Sequence, residues 1–196
     1  MITTIKLDAT RMDNEIRRDK MGQVSLEMHT VINSSIFRDQ ILKLKPFKGE
    51  RSKYKNLTNS EVYNMIMHGA DIHEPQMDHE LDIFVDDYYT WKKVIGYTKP
   101  KVDRIIRVNT KYFDKRHTMN IGSNILHEYG HLMGFSHDFF MSDERPSSIC
   151  YQFNKAYVAA YKKLFNLQTA RVKVCRRDWR WLGLRKICKW EERAIS

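Results

Sequence analysis

The chain has 196 residues, a net charge of +10 and a mean hydropathy of −0.60. That length suits one domain with a sizeable core, or a domain with an appendage, and no apolar run is long enough to span a membrane. The positive balance attracts nucleic acid, anionic membranes or acidic partners, but says nothing about fold.

Met1-Ile2-Thr3-Thr4-Ile5-Lys6-Leu7-Asp8 lacks the basic start and apolar centre of a signal peptide. The expectation is a cytoplasmic protein, or one associated with a virus particle or released by lysis. Three cysteines, Cys150, Cys175 and Cys188, argue against a disulfide framework and suit a reducing compartment, with a Cys175–Cys188 bridge left open.

Along the chain, 2–7 reads as a first strand, and 11–20 as charged, solvent-facing helix or loop. Apolar residues at Val24, Met28, Val31, Ile32, Ile36, Phe37, Ile41 and Leu44 keep close to a helical period, which predicts one long amphipathic helix over 24–44. A loop with Pro46 and Gly49 follows. Thr58 and Glu61 form a capping box, so a short helix starts there and ends near Gly69. The polar stretch 71–80 carries His73, Asp78, His79 and Glu80, with His68 just upstream. They read either as a second metal site or as a solvated acidic loop; the spacing follows no recognised ligand pattern, which favours the loop. Three strands are expected at 81–89, 94–98 and 104–113, the last rich in β-branched and aromatic residues. A helix starting near 119–123 runs to 133, with Asn120 or Ser123 as N-cap and Ile121, Ile125, Leu126 and Tyr129 facing the core. A further helix at 152–165 carries a stripe of Phe153, Ala156, Tyr157, Ala160, Tyr161 and Leu164, which is core by its spacing.

The chemistry concentrates in His127-Glu128-Tyr129-Gly130-His131-Leu132-Met133-Gly134-Phe135-Ser136-His137-Asp138, which reads H-E-x-x-H-x-x-G-x-x-H-D. Histidines four residues apart lie on one helix face, so both imidazoles reach one ion. Glu128 leans to the same side and suits a general base beside the metal. Gly134 lets the backbone leave the helix with φ > 0 and swing back to deliver His137 as a third ligand. Three protein ligands leave a fourth position open, the arrangement of a catalytic rather than a structural zinc site.

This stretch resembles the signature of the metzincin clan of zinc endopeptidases. The resemblance covers 121–151. It implies an α/β (α+β) zincin fold: a mixed twisted sheet, a long backing helix, an active-site helix and a small C-terminal subdomain. The corresponding division is 1–134 for the N-terminal subdomain, 135–170 for the C-terminal one and 171–196 for a tail. It also implies that one sheet strand forms the upper edge of the cleft, though the sequence does not say which. Metzincins place a methionine turn after the third ligand. Arg145-Pro146-Ser147-Ser148-Ile149-Cys150-Tyr151 is similar to the astacin turn, Ser-x-Met-x-Tyr, with Ile149 in the methionine's place and Met141 too close to His137 to serve. Tyr151 then has two readings, a phenol that hydrogen-bonds an oxyanion near the metal or a buried aromatic. Asp138 follows the third ligand, where it hydrogen-bonds behind the site or steadies the turn.

The implied activity is zinc-dependent endopeptidase: one Zn²⁺ on His127, His131 and His137, a water activated by Glu128, and a protein or peptide substrate. Other readings remain open. From Arg171 to Trp190 there are eight Lys/Arg and three Trp (Trp179, Trp181 and Trp190). Such a tail packs on the domain, docks a protein partner, or recruits a zinc protease to nucleic acid. A catalytically silent metzincin-fold assembly protein that keeps zinc for stability is the remaining alternative.

Overall fold

A computed structural model describes residues 2–44, 47–69, 78–137 and 143–167, with two further strands described by backbone alone. The chain divides into two compact units, Met1–Tyr161 and Lys162–Ser196.

The first unit is built on a four-stranded mixed sheet: β1 (Thr4–Asp8), β2 (Glu80–Tyr88), β3 (Gly96–Thr98) and β4 (Ile105–Asn109), in the order β1-β2-β4-β3. β1, β2 and β4 run parallel, and β3 lies antiparallel on β4 at one edge. In β2, Leu81, Ile83 and Val85 are buried while the residues between them are half-buried. That alternation marks a sheet with one face fully covered. The helix α1 (Glu15–Ile32) packs on β1 and on α5 (Thr118–Leu132), and α5 packs on β3 and β4. Met21, Val24, Met28 and Val31 of α1 and Ile121, Ile125, Leu126 and Tyr129 of α5 are buried. Full burial of each such large side chain contributes about 1.5–3 kcal/mol.

The single helix expected over 24–44 is instead two, α1 and α2 (Ser35–Leu42). The apolar period runs across a corner. Asn33 caps α1, its N–H still on His29 O at 3.2 Å, and its side chain pairs with Thr3, accepting from Thr3 N at 2.7 Å and donating to Thr3 O at 2.9 Å. Ser34 Oγ then accepts from Phe37 N at 3.0 Å and starts α2 afresh. The helix α3 (Asn59–His68) has the expected capping box, Thr58 N to Glu61 Oε2 at 2.7 Å and Glu61 N to Thr58 Oγ1 at 3.2 Å, and ends at Gly69 with φ 75°.

The strand expected over 104–113 stops at Asn109, and Thr110–Phe113 form a helical turn, α4. Asn109 causes the change. Its Oδ1 accepts from Lys111 N at 3.2 Å, and its Nδ2 donates to Val94 O at 2.8 Å. The N-cap of α5 is His117, whose Nδ1 accepts from Met119 N at 3.2 Å, in place of the expected Asn120 or Ser123. After a 3-10 turn at Arg145–Ser147 comes α6 (Ile149–Leu164), which buries Phe153, Ala156, Tyr157, Ala160 and Tyr161.

The second unit contains an antiparallel hairpin of β5 (Thr169–Asp178) and β6 (Arg185–Ala194). Its register sets Cys175 opposite Cys188 and Lys173 opposite Trp190; Trp179 and Trp181 lie outside the described residues. No helix among the described residues is long and apolar enough to cross a membrane.

Candidate metal centre

The site begins on the last two turns of α5. His127 and His131 sit one turn apart with ring centroids 5.1 Å from each other. The helix then ends in a Schellman turn: Gly134 N donates to His131 O and Phe135 N to Gly130 O, both at 3.0 Å. This turn requires a left-handed residue, and Gly134 supplies it with φ 94°. Phe135, buried, anchors the turn against the rings of Tyr54 and Phe153.

The reversal brings His137 back over the helix. Its ring centroid lies 5.4 Å from that of His127 and 4.8 Å from that of His131, and ligand atoms of all three residues lie within 4.8 Å of one another. His127 Nε2 and His137 Nε2 stand 3.4 Å apart. Two nitrogens each about 2.0–2.1 Å from a tetrahedral ion stand about 3.3–3.4 Å apart, so this pair has the spacing of two zinc ligands. His131 Nδ1 lies 2.9 Å from Phe135 O. A carbonyl only accepts, so Nδ1 carries the proton and Nε2 keeps its lone pair for an ion. The residues present therefore fit a cation held by three neutral imidazoles.

Electrostatics favour that state. Burial pushes the His127 imidazole down to about 3, helped by His131 and His137, while the Cys150 backbone opposes weakly. Burial, then the neighbouring His137 and Arg145, bring His131 down to about 4 against the opposing Phe135 carbonyl. Both are neutral at pH 7, as metal ligation requires. Glu128 is only 7 % exposed. Its carboxyl is raised to about 7 by burial, against a hydrogen bond from the Thr98 backbone. A carboxyl poised near neutrality suits a group that takes and returns a proton.

Tyr151, in the first turn of α6, sets its ring centroid 4.7 Å from that of His127 and 5.0 Å from that of His137, and the Arg145 guanidinium stands over the Tyr151 ring, 5.3 Å from its centroid. Ile149 is fully buried. A sulfur does stand beside a ligand, that of Cys150, whose Sγ lies 3.6 Å from His131 Nδ1. Burial raises that thiol well above its ordinary value, so it stays protonated and fills space beside the ligand. Asp138 and Met141 lie outside the described residues.

The polar stretch before β2 is only partly described, and His73 lies outside it. His68 and His79 meet with ring centroids 4.8 Å apart, and His79 Nδ1 bonds Met67 O at 3.0 Å. Asp78, Glu80 and Asp82 gather separately, with Glu80 paired to Lys6.

Three neighbours of the site have roles the sequence did not assign: Arg145 and Cys150, which lie within the turn-like stretch, and Glu50, which nothing marked. Glu50 lies far upstream in a loop, yet it is 3 % exposed and hydrogen-bonds the segment that carries His137. Loop composition alone does not distinguish a buried carboxylate from a solvated one. No protein-family model, curated protein or solved structure matches the chain.

Proposed function

We propose that the chain is a metzincin-like, zinc-dependent endopeptidase. The observation that carries this reading is the convergence of His127, His131 and His137, with two Nε2 atoms 3.4 Å apart, beside a buried glutamate whose carboxyl is raised to about 7. A structural zinc site needs no such neighbour. When bound, a zinc ion supplies a Lewis acid that polarises a carbonyl and acidifies water.

The chain's own residues supply the rest. Glu128 accepts a proton from the attacking water as the oxygen–carbon bond forms. It returns that proton to the nitrogen as the carbon–nitrogen bond breaks, so the peptide leaves as carboxylic acid and amine. Burial sharpens this role, because a carboxylate without its water shell is a stronger base. Tyr151 donates a hydrogen bond to the carbonyl oxygen as it gains negative charge. β3 serves as the substrate rail. It is one of the two edge strands of the described sheet, the other being β1, and it is the edge beside the site, since Thr98 at its end hydrogen-bonds Glu128. An extended peptide pairing with that edge passes its main chain beside the general base.

The test is cleavage of an unstructured protein by the wild type and by Glu128→Ala, with zinc content determined for both. Zinc in both and cleavage by the wild type alone support the reading. Zinc in both and cleavage by neither, over a broad peptide set, sink it and favour a structural role for the metal.

A further inference from the structure

We propose that Glu50 is a positioning residue of the metal centre: one buried carboxylate that fixes His137 and the start of the Tyr151 helix relative to the two helix-borne histidines. The proposal rests on the reading of the three histidines as ligands of one ion.

His127 and His131 are placed by α5 itself. His137 is not, because it lies beyond the Schellman turn, where helix geometry no longer applies. What holds it is a segment nearly 90 residues upstream in sequence. Glu50 and His137 form an isolated antiparallel bridge. Arg51 N donates to Ser136 O at 3.0 Å, and Glu50 Oε1 accepts from Ser136 N at 2.6 Å. The same oxygen accepts from Ser52 N at 3.1 Å, which folds the Glu50 segment onto its own side chain. The second oxygen, Oε2, accepts from Ile149 N at 3.3 Å, two residues before Tyr151. A single carboxylate thus takes backbone N–H groups from the two segments that bring His137 and Tyr151 to the site.

The chemistry matches the placement. An ionised carboxylate only accepts, and all three partners are N–H donors. Burying that charge is costly unless such bonds satisfy it, so a loop glutamate at 3 % exposure has a defined geometry. The adjoining residue shows how closely the segment is seated. Gly49 N donates to Ser147 Oγ at 3.0 Å, and a Cβ on Gly49 would stand 2.0 Å from Glu144 O. Only glycine allows the backbone that close, and the approach is what brings the Glu50 carboxylate within reach of both segments.

The experiment measures zinc affinity of the full chain by competition with a chromogenic chelator, for wild type, Glu50→Gln, His137→Ala and the double variant. Glutamine keeps one carbonyl oxygen but turns an N–H toward a donor, so one of the two segments loses its acceptor. Outer partners of metal ligands typically change affinity about 10–100-fold, and that loss is expected for Glu50→Gln. If Glu50 acts through His137, the same change costs less than about 3-fold once His137 is alanine. The visible bands of the cobalt-substituted Glu50→Gln variant are expected to move toward those of His137→Ala.

Wild-type affinity in Glu50→Gln, or an equal loss in both backgrounds, overturns the proposal; the second result describes a general structural residue. Should Glu50→Gln fail to fold, Glu50→Asp keeps the charge at shorter reach and is expected to give a smaller loss with the same non-additivity. A wild type that binds no zinc fails the metal reading itself, and is distinguishable from a wild type that binds zinc and does not need Glu50.

Discussion

Glu128→Gln should abolish turnover and, in metal-free protein, raise stability. The wild-type carboxyl is 7 % exposed and raised to about 7 from an ordinary 4.5. Its folded value lies above its unfolded one, so its contribution to stability is fully present below pH 4.5 and is lost as pH rises through 7. At pH 8 the folded protein holds a desolvated carboxylate. A shift of that size corresponds to about 3 kcal/mol at pH 8 and to under about 1 kcal/mol at pH 5. Glutamine is near-isosteric, never ionises, and keeps a carbonyl oxygen for the Thr98 N–H. Urea unfolding of both proteins with a chelator present should therefore give a gap of about 3 kcal/mol at pH 8 that closes in acid. In a domain of this size the gap amounts to roughly 6–12 °C in Tm. Equal stabilities at pH 8, or a gap that does not change with pH, would show that the carboxyl is not desolvated and would remove the physical basis for its role as a tuned base.

The paired histidines titrate with the opposite sign. His127 and His131 stand near 3 and 4 in the fold against 6.5 ordinarily, so between those values the unfolded chain holds more protons. Metal-free stability should fall as pH drops from 6.5 toward 4, and exchanging both for glutamine should flatten that slope, measured in the Glu128→Gln background where the opposing carboxyl is absent. Gly134→Ala forces a Cβ onto a backbone with φ 94°. It should cost about 1–2 kcal/mol by thermal melting and weaken zinc binding as the His137 arm shifts. Tyr151→Phe should keep its zinc and lose about 100-fold in kcat if the phenol donates to the oxyanion; unchanged kcat would return Tyr151 to a packing role beside His127 and His137.

What the sequence determined by itself is what depends on neighbours a few residues apart. Helix geometry puts His127 and His131 on one face, a capping box starts α3 at Thr58, and only a glycine at 134 allows the chain to reverse within three residues of His131. These are local rules, and the residues involved carry them wherever the rest of the chain lies. The tertiary structure decided what depends on partners far away in sequence. A helical period through Val31 and Phe37 cannot reveal the corner between them, because the Asn33 side chain there bonds Thr3, just ahead of β1. Thr110, Tyr112 and Phe113, β-branched or aromatic, cannot signal a strand end that is made by bonds from Asn109 to Val94 and Lys111. Of the strands expected at 81–89, 94–98 and 104–113, the sequence does not say which is the rim; only β3 lies at an edge, because it pairs with β4 alone, while β2 and β4 have neighbours on both sides. Glu50 is the clearest case. Nothing beside it in the chain marks it, and its meaning comes from Ser136 and Ile149, whose N–H groups only the fold brings to its carboxylate.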